Sequence, residues 1–226
     1  VQLLGRGRDA DVFVLDDGRV LRRYRDPGRT AEREARVMTH ARDAGLPVPE
    51  VFDVDGPDLV LARVDGPTMA AALVRRPWTL ARHARTLAAL HAAVHAVPAP
   101  DWLDGLPADG GPPPEGAALL HLDLHPENVL LTAGGPVVID WTNAARGAAA
   151  VDVADAWLVM SVARPSGGRA QAAVVAAAQG TFARSFRRAA GLDLGPALPA
   201  AAARRLADRN LGAGERDRIR RLASRG

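Results

Sequence analysis

Two short runs of strand-forming residues, Val129 to Leu131 and Pro136 to Ile139, flank Thr132-Ala-Gly-Gly135 and constrain this chain more than any other stretch. Two apolar runs joined by a glycine-rich turn specify a tight β-hairpin. Asp123 and Asn128 lie just before the first strand and Asp140 just after the second. Because a hairpin returns its ends to one place, two carboxylates and an amide are expected to converge although 17 residues separate the outer pair. In a chain without cysteine, such hard oxygen donors suit Mg²⁺, which is held by one or two carboxylates together with substrate phosphates. The geometry points to phosphate chemistry.

The order His121-x-Asp123-x-x-x-x-Asn128, a hairpin, then Ile139-Asp140-Trp141 resembles the catalytic core of the aminoglycoside phosphotransferase and choline kinase-like family, relatives of protein kinases. The resemblance runs over about residues 3 to 160 and implies an α+β, bilobal protein kinase-like fold. A small N-terminal antiparallel sheet plus one helix would form a nucleotide-binding lobe over residues 1–64, and residues 65–226 a larger, mainly helical catalytic and substrate lobe carrying the hairpin. The implied cofactors are ATP and Mg²⁺, bound between the lobes. The implied roles place Asp123 on the proton of an acceptor hydroxyl and Asn128 and Asp140 on the metal. His121 and His125 would support that loop, and Asp152 would brace its backbone. Leu122 and Glu127 stand where the family frequently has glycine.

Earlier in the chain, residues 3 to 15 hold two apolar segments around Gly5-Arg6-Gly7, and Asp16-Asp-Gly18 turns the chain into Arg19-Val-Leu-Arg-Arg-Tyr24. Three antiparallel strands follow from this pattern. The Gly5–Gly7 turn would let backbone N–H groups approach phosphate, although an ordinary hairpin turn has the same sequence. Residues 29 to 45 read as a helix with Thr30 as N-cap, Glu32 and Glu34 in its first turn and Gly45 closing it. In the family a strand lysine that holds phosphates pairs with a helix glutamate; Arg22 and Glu34 occupy those positions here. The alternative is a surface Arg–Glu pair of small energetic worth. Val51 to Val54 and Leu59 to Val64 supply two more strands, and the resemblance places the backbone that meets adenine at Leu61, Ala62, Arg63 and Val64. Asp65-Gly-Pro-Thr68 leads onward, with Thr68 placed to cap a short helix.

Helical spacing of Leu80, Ala84, Leu87, Leu90, Ala93 and Val94 predicts an amphipathic helix over 79–96, capped by Thr79. His91 on its apolar face reads as a core or supporting residue; His83 and His95 receive no function. Proline and glycine interrupt residues 97–116 every few positions, which predicts a loop, with Trp102 and Leu103 available to dock it. Asp152 opens an apolar helix running to Ala163, and further helices are expected at 169–190, 198–209 and 214–224.

All 29 basic residues are arginine, and 13 of them fall in residues 160–226 against four acids. Helical arginine faces are mostly solvated, so nucleic acid is not an expected partner. The basic segment leans against polycationic acceptors and towards a neutral or anionic hydroxyl compound. No apolar run is long enough for a membrane span, and no signal-peptide order opens the chain, so a cytoplasmic protein is expected. The resulting expectation is a kinase for a small-molecule hydroxyl acceptor. Two other classes remain open at this level: a nucleotide-binding relative without turnover, motivated by Arg22, and a Zn²⁺ hydrolase built on His121-x-Asp123-x-His125.

Overall fold

In a computed structural model of the chain, the structure describes residues 2–7, 9–15, 18–106, 117–162, 169–208 and 211–224, without the side chains of 169–174. It separates into two compact units: Val1–Thr68 with Asn128–Thr142, and Met69–Glu127 with Asn143–Gly226.

The first unit is built on an antiparallel sheet of β1 (Gln2–Arg6), β2 (Ala10–Val14), β3 (Arg19–Tyr24), β4 (Val51–Asp55) and β5 (Asp58–Ala62), in the order β1-β2-β3-β5-β4. Alternation along β3 and β5 buries Val20, Tyr24, Leu59 and Leu61. Helix α1 (Glu32–Asp43) buries Ala35, Val37, Met38 and Ala41, and with them the charged Glu34. It starts later than expected because Asp26-Pro-Gly28 forms a turn, in which Arg29 N–H donates to Asp26 O at 3.1 Å. Ala31 is the N-cap, without a side-chain bond, while Thr30 Oγ1 accepts Glu32 N–H at 3.2 Å. Gly45, at φ 86, closes the helix as expected, a conformation that favours glycine.

The hairpin belongs to this unit. Strands β7 (Val129–Thr132) and β8 (Gly135–Val138) pair from Val129↔Val138 to Thr132↔Gly135. Backbone bonds fix the hairpin to the preceding chain: Leu131 N–H to Pro67 O at 2.9 Å and Val138 N–H to Pro47 O at 2.8 Å. Gly66 is needed there, since a Cβ would lie 2.3 Å from Leu131 O. These contacts add residues 65–68 and 128–142 to the first unit, a division that differs from the 1–64 and 65–226 boundaries read from sequence.

The second unit is mainly helical: α2 (Met69–Arg75), α3 (Leu80–His95), α4 (Ala149–Val162), α5 (Arg169–Ala190), α6 (Leu198–Leu206) and α7 (Ala213–Ala223), with β6 (Ala118–Leu120) paired to β9 (Ala145–Gly147). Helix α4 packs on α5 and α6, and α3 on α5. Apolar nearly all round, α4 is the core helix of the unit. Thr79 is the N-cap of α3, as expected, but without a side-chain cap bond: it ends a 3₁₀ turn, Pro77–Thr79, and its hydroxyl donates back to Arg76 O at 2.6 Å. Helix α6 ends at Leu206, short of the expected bound, and Arg216 donates to the carbonyls of Leu206 and Asp208 beyond it, both at 2.6 Å. In the expected loop, Leu103 is buried while Trp102 is 40% exposed; residues 107–116 lie outside the described residues.

Candidate active site

In the first unit, β3, α1 and the end of the hairpin bring Arg22, Glu34 and Asp140 together. The Arg22 guanidinium donates from Nη1 to Glu34 and from Nη2 to Asp140 Oδ1 at 2.8 Å. A planar fork with two terminal nitrogens can serve two carboxylates at once, which an ammonium does less well. This is not the surface pair that the sequence left open: Arg22 is 13% and Glu34 3% exposed. Two residues missed in the sequence complete the cluster. Tyr24 OH donates to Glu34, and Thr142 Oγ1 lies 3.1 Å from Arg22 Nη2, 3.0 Å from Tyr24 OH and 2.9 Å from Asp140 Oδ1. Burial raises the Glu34 carboxyl above its ordinary value, with the Arg22 charge opposing. Burial beside Glu34 likewise pushes the Tyr24 phenol up to about 12, so it stays a donor.

Asp140 holds φ 64 as the hairpin ends, a left-handed conformation rare for residues with side chains and concentrated at functional sites. Its side chain is 39% exposed. Asn128 is buried at the other end of the hairpin, where its carbonyl accepts Ile139 N–H at 3.0 Å. Gly5 and Arg6 lie in β1, paired with Val12 and Asp11, rather than in the turn expected from sequence, and Gly7 N–H bonds Ala10 O at 2.8 Å just beyond the strand. Ala62 N–H donates to Glu50 O and Arg63 N–H to Gly18 O, so these two amides of the Leu61–Val64 segment are committed within the unit.

In the second unit Asp123 follows Leu122, which also has a positive φ, of 58. That backbone is fixed by α4: Asp152 accepts Leu122 N–H at 2.8 Å and His121 N–H at 3.1 Å. His95, given no role from sequence, lies with Nε2 2.9 Å from Asp152, and His91 Nε2 donates to Leu124 O at 3.1 Å. Asp123 Oδ1 accepts Arg205 Nη2 at 2.8 Å and lies 3.7 Å from His125 Nε2. Burial alone would raise the Asp123 carboxyl, but the hydrogen bond and charge of His125 and the charge of Arg205 hold it well below the usual carboxylate range.

The Zn²⁺ alternative fails on this geometry. Asp123 and His125 approach to 3.7 Å, but His121 is fully buried, and among the described residues the three do not converge as a ligand group. Among the described residues, the group whose donor atoms all lie within 4.8 Å of one another is His91, His95 and Asp152. Both oxygens of Asp152 already serve backbone amides, so this group is a hydrogen-bonded brace.

Comparison with known proteins bears on the family and the fold. The sequence profile of the phosphotransferase enzyme family (APH) matches residues 1–114 and 101–192. The chain belongs to that family. Solved phosphotransferases share its α+β, protein kinase-like fold: aminoglycoside phosphotransferase APH(4)-Ia superposes at TM-score 0.66, with 20% identity, covering 99% of this chain and 92% of that one. A choline/ethanolamine kinase family protein from Mesorhizobium loti gives TM-score 0.59 with 17% identity, covering 99% and 86%. A thiamine kinase of Salmonella newport (strain SL254) is 39% identical over 62 residues. That match spans 26% of this chain and 23% of the thiamine kinase.

For a phosphotransferase, the donor set of the hairpin fits a hard divalent cation. Asp140 and Asn128 offer oxygen, and the Asp140 side chain is the more accessible partner of its ion pair with Arg22. The residues that sequence reasoning missed, Tyr24, Thr142, Asp155 and Arg205, carry no motif spacing. The one available signal was Asp155, a second acid three residues after Asp152 in an otherwise apolar helix.

Proposed function

We propose that this phosphotransferase moves the γ-phosphate of ATP, as its Mg²⁺ complex, to a hydroxyl group of a small molecule. The observation that carries the reading is the cluster of Arg22, Glu34 and Asp140, in which a strand cation and a helix acid meet the acid that ends the hairpin. Arg22, oriented by Glu34 and Thr142, would hold phosphate oxygens, with the Gly5–Gly7 segment at the end of β1 covering them and the backbone of Leu61 to Val64 meeting the base. Asn128 and Asp140 would hold Mg²⁺, which when bound neutralises phosphate charge. Asp123 accepts the hydrogen bond of the acceptor hydroxyl. Its depressed basicity suits a reaction that depends on positioning and charge stabilisation more than on a strong base. His121, His125 and Asp152 keep its loop in place.

Arg205 beside Asp123 favours a neutral or anionic acceptor over a polycation. The test is ADP release over a panel of aminoglycosides, macrolides, sugars, thiamine, choline and homoserine, with and without Mg²⁺. Mg²⁺-dependent release with an uncharged or anionic acceptor is the expected result, and turnover of aminoglycosides alone would contradict the assigned acceptor class. A second reading, nucleotide binding without turnover, is favoured by the engagement of Asp140 with Arg22. It predicts Mg²⁺-dependent stabilisation by ATP with no ADP release from any acceptor or from water.

A further inference from the structure

Helix α4 carries two fully buried acids, Asp152 and Asp155, three residues apart and so on one helical face. Asp152 grips the N–H of Leu122 directly, at 2.8 Å. Asp155 acts through an arginine. Arg205 Nε lies 2.9 Å from both Asp155 oxygens, and Arg204 Nη1 lies 3.0 Å from Oδ1. Nη2 of the same guanidinium, itself 2.5 Å from Asp155 Oδ2, also reaches Leu122 O at 3.1 Å and Asp123 Oδ1 at 2.8 Å. Leu122 is therefore held at both its N–H and its carbonyl. This matters because its φ of 58 is unfavourable for a leucine and persists only where the surroundings over-determine it.

We propose that Arg205 is a positioning residue for Asp123, locking the Leu122 carbonyl and one Asp123 oxygen through a clamp whose fixed end is Asp155. The inference rests on the reading of Asp123 as the group that meets the acceptor hydroxyl. Arg205 lies in α6, beyond the residues matched by the family profile. The arginines of the C-terminal segment are thus not all a solvated face: Arg205 is 12% exposed. Its fork explains the residue type, since one head must serve a buried carboxylate, a carbonyl and a second carboxylate. Among the described residues, His125 on its own loop and the Arg205 guanidinium from α6 face Asp123. Behind them, Arg204 faces Asp155, and His91 and His95 face Asp152.

The clamp is tested with Arg205→Lys and with the double variant Arg205→Gln/Asp155→Asn, which removes the buried acid together with Arg205 and leaves Arg204, 20% exposed, to reach solvent. In the double variant a native thermal profile and an ATP KM within about twofold of wild type are expected, while kcat falls about 10- to 100-fold through lost orientation. The acid limb of its kcat profile should move up by about one pH unit or more, because Asp123 has lost a cation. Arg205→Lys should lower kcat while leaving the acid limb near its wild-type place, since charge survives and the fork does not. Unchanged kcat and acid limb in the double variant would overturn the clamp. Carbon-13 NMR of the labelled aspartate carboxyls, with Asp123 assigned by Asp123→Asn, reads the same upward shift without turnover. If wild type transfers phosphate to no acceptor but the NMR shift appears, the clamp stands and the kinase reading fails; absence of the shift sinks the clamp itself.

Discussion

Arg22 Nη2 and Asp140 Oδ1 stand 2.8 Å apart, with the other terminal nitrogen of Arg22 on the buried Glu34. One guanidinium therefore ties β3 and α1 to the end of the hairpin. Arg22→Met would strand Glu34, which is 3% exposed, at a cost of about 3–5 kcal/mol, the range for an orphaned buried charge. Urea unfolding at neutral pH measures it. Glu34 is raised by burial, so its folded form favours the proton and its ionisation opposes folding. Stability associated with Glu34 is thus fullest below its ordinary value and declines as pH rises through the folded one. Without Arg22 that decline should steepen.

Asp140 can be removed more cheaply, because its side chain is 39% exposed. Asp140→Ala should leave the fold intact yet abolish stabilisation by ATP with Mg²⁺, where wild type gains stability by mass action. Transfer should drop about 10²–10³-fold or more, the scale of losing one electrostatic partner of the reacting group. Thermal shift at millimolar nucleotide and an ADP-release assay report the two effects separately. Most of the activity surviving in Asp140→Ala or Asp123→Ala would overturn the site.

Asp152 makes the acid side of stability specific. Burial would raise it, but the hydrogen bonds and charges of His91 and His95 outweigh burial and hold it well below its ordinary value of 3.8. A depressed carboxyl contributes stability above its unfolded value and loses it as pH falls through the folded one. Wild type should therefore weaken progressively below about pH 4. Asp152→Asn should lose about 3 kcal/mol at neutral pH and show a shallower slope between pH 4 and 2. Parallel slopes in the two proteins would remove Asp152 from the account.

Gly66 tests the seam between the hairpin and the chain before it. A Cβ there would meet Leu131 O at 2.3 Å, and backbone cannot yield as a side-chain tip can. Gly66→Ala should cost about 1–3 kcal/mol, as overpacking does, and lower the melting temperature. Gly5→Ala, where nothing lies within 4 Å of the added carbon, is the matched control and should change stability little.

Much of this protein was legible in one dimension. The hairpin and the five strands follow from short apolar runs between turn residues, α1 from its first-turn acids and closing glycine, and α3 from its 3.6 period, because those signals lie within a dozen or so neighbouring residues. Arg22, Glu34 and Asp140 were legible as types at recognisable positions. That one arginine bonds both acids was not, since 118 residues separate Arg22 from Asp140.

What the sequence alone determined, then, is local: which stretches pair, which helices bury a face, and which oxygen-bearing residues flank the hairpin. Tertiary structure decided who neutralises whom. Asp155 is an acid in an apolar helix and Arg205 one arginine among many in a basic segment, and neither has spacing that names the other. Packing of α5, α6 and α7 around α4 leaves Asp155 fully buried. A carboxylate taken out of water requires a cation within bonding distance, and that cation, once placed, also reaches Asp123.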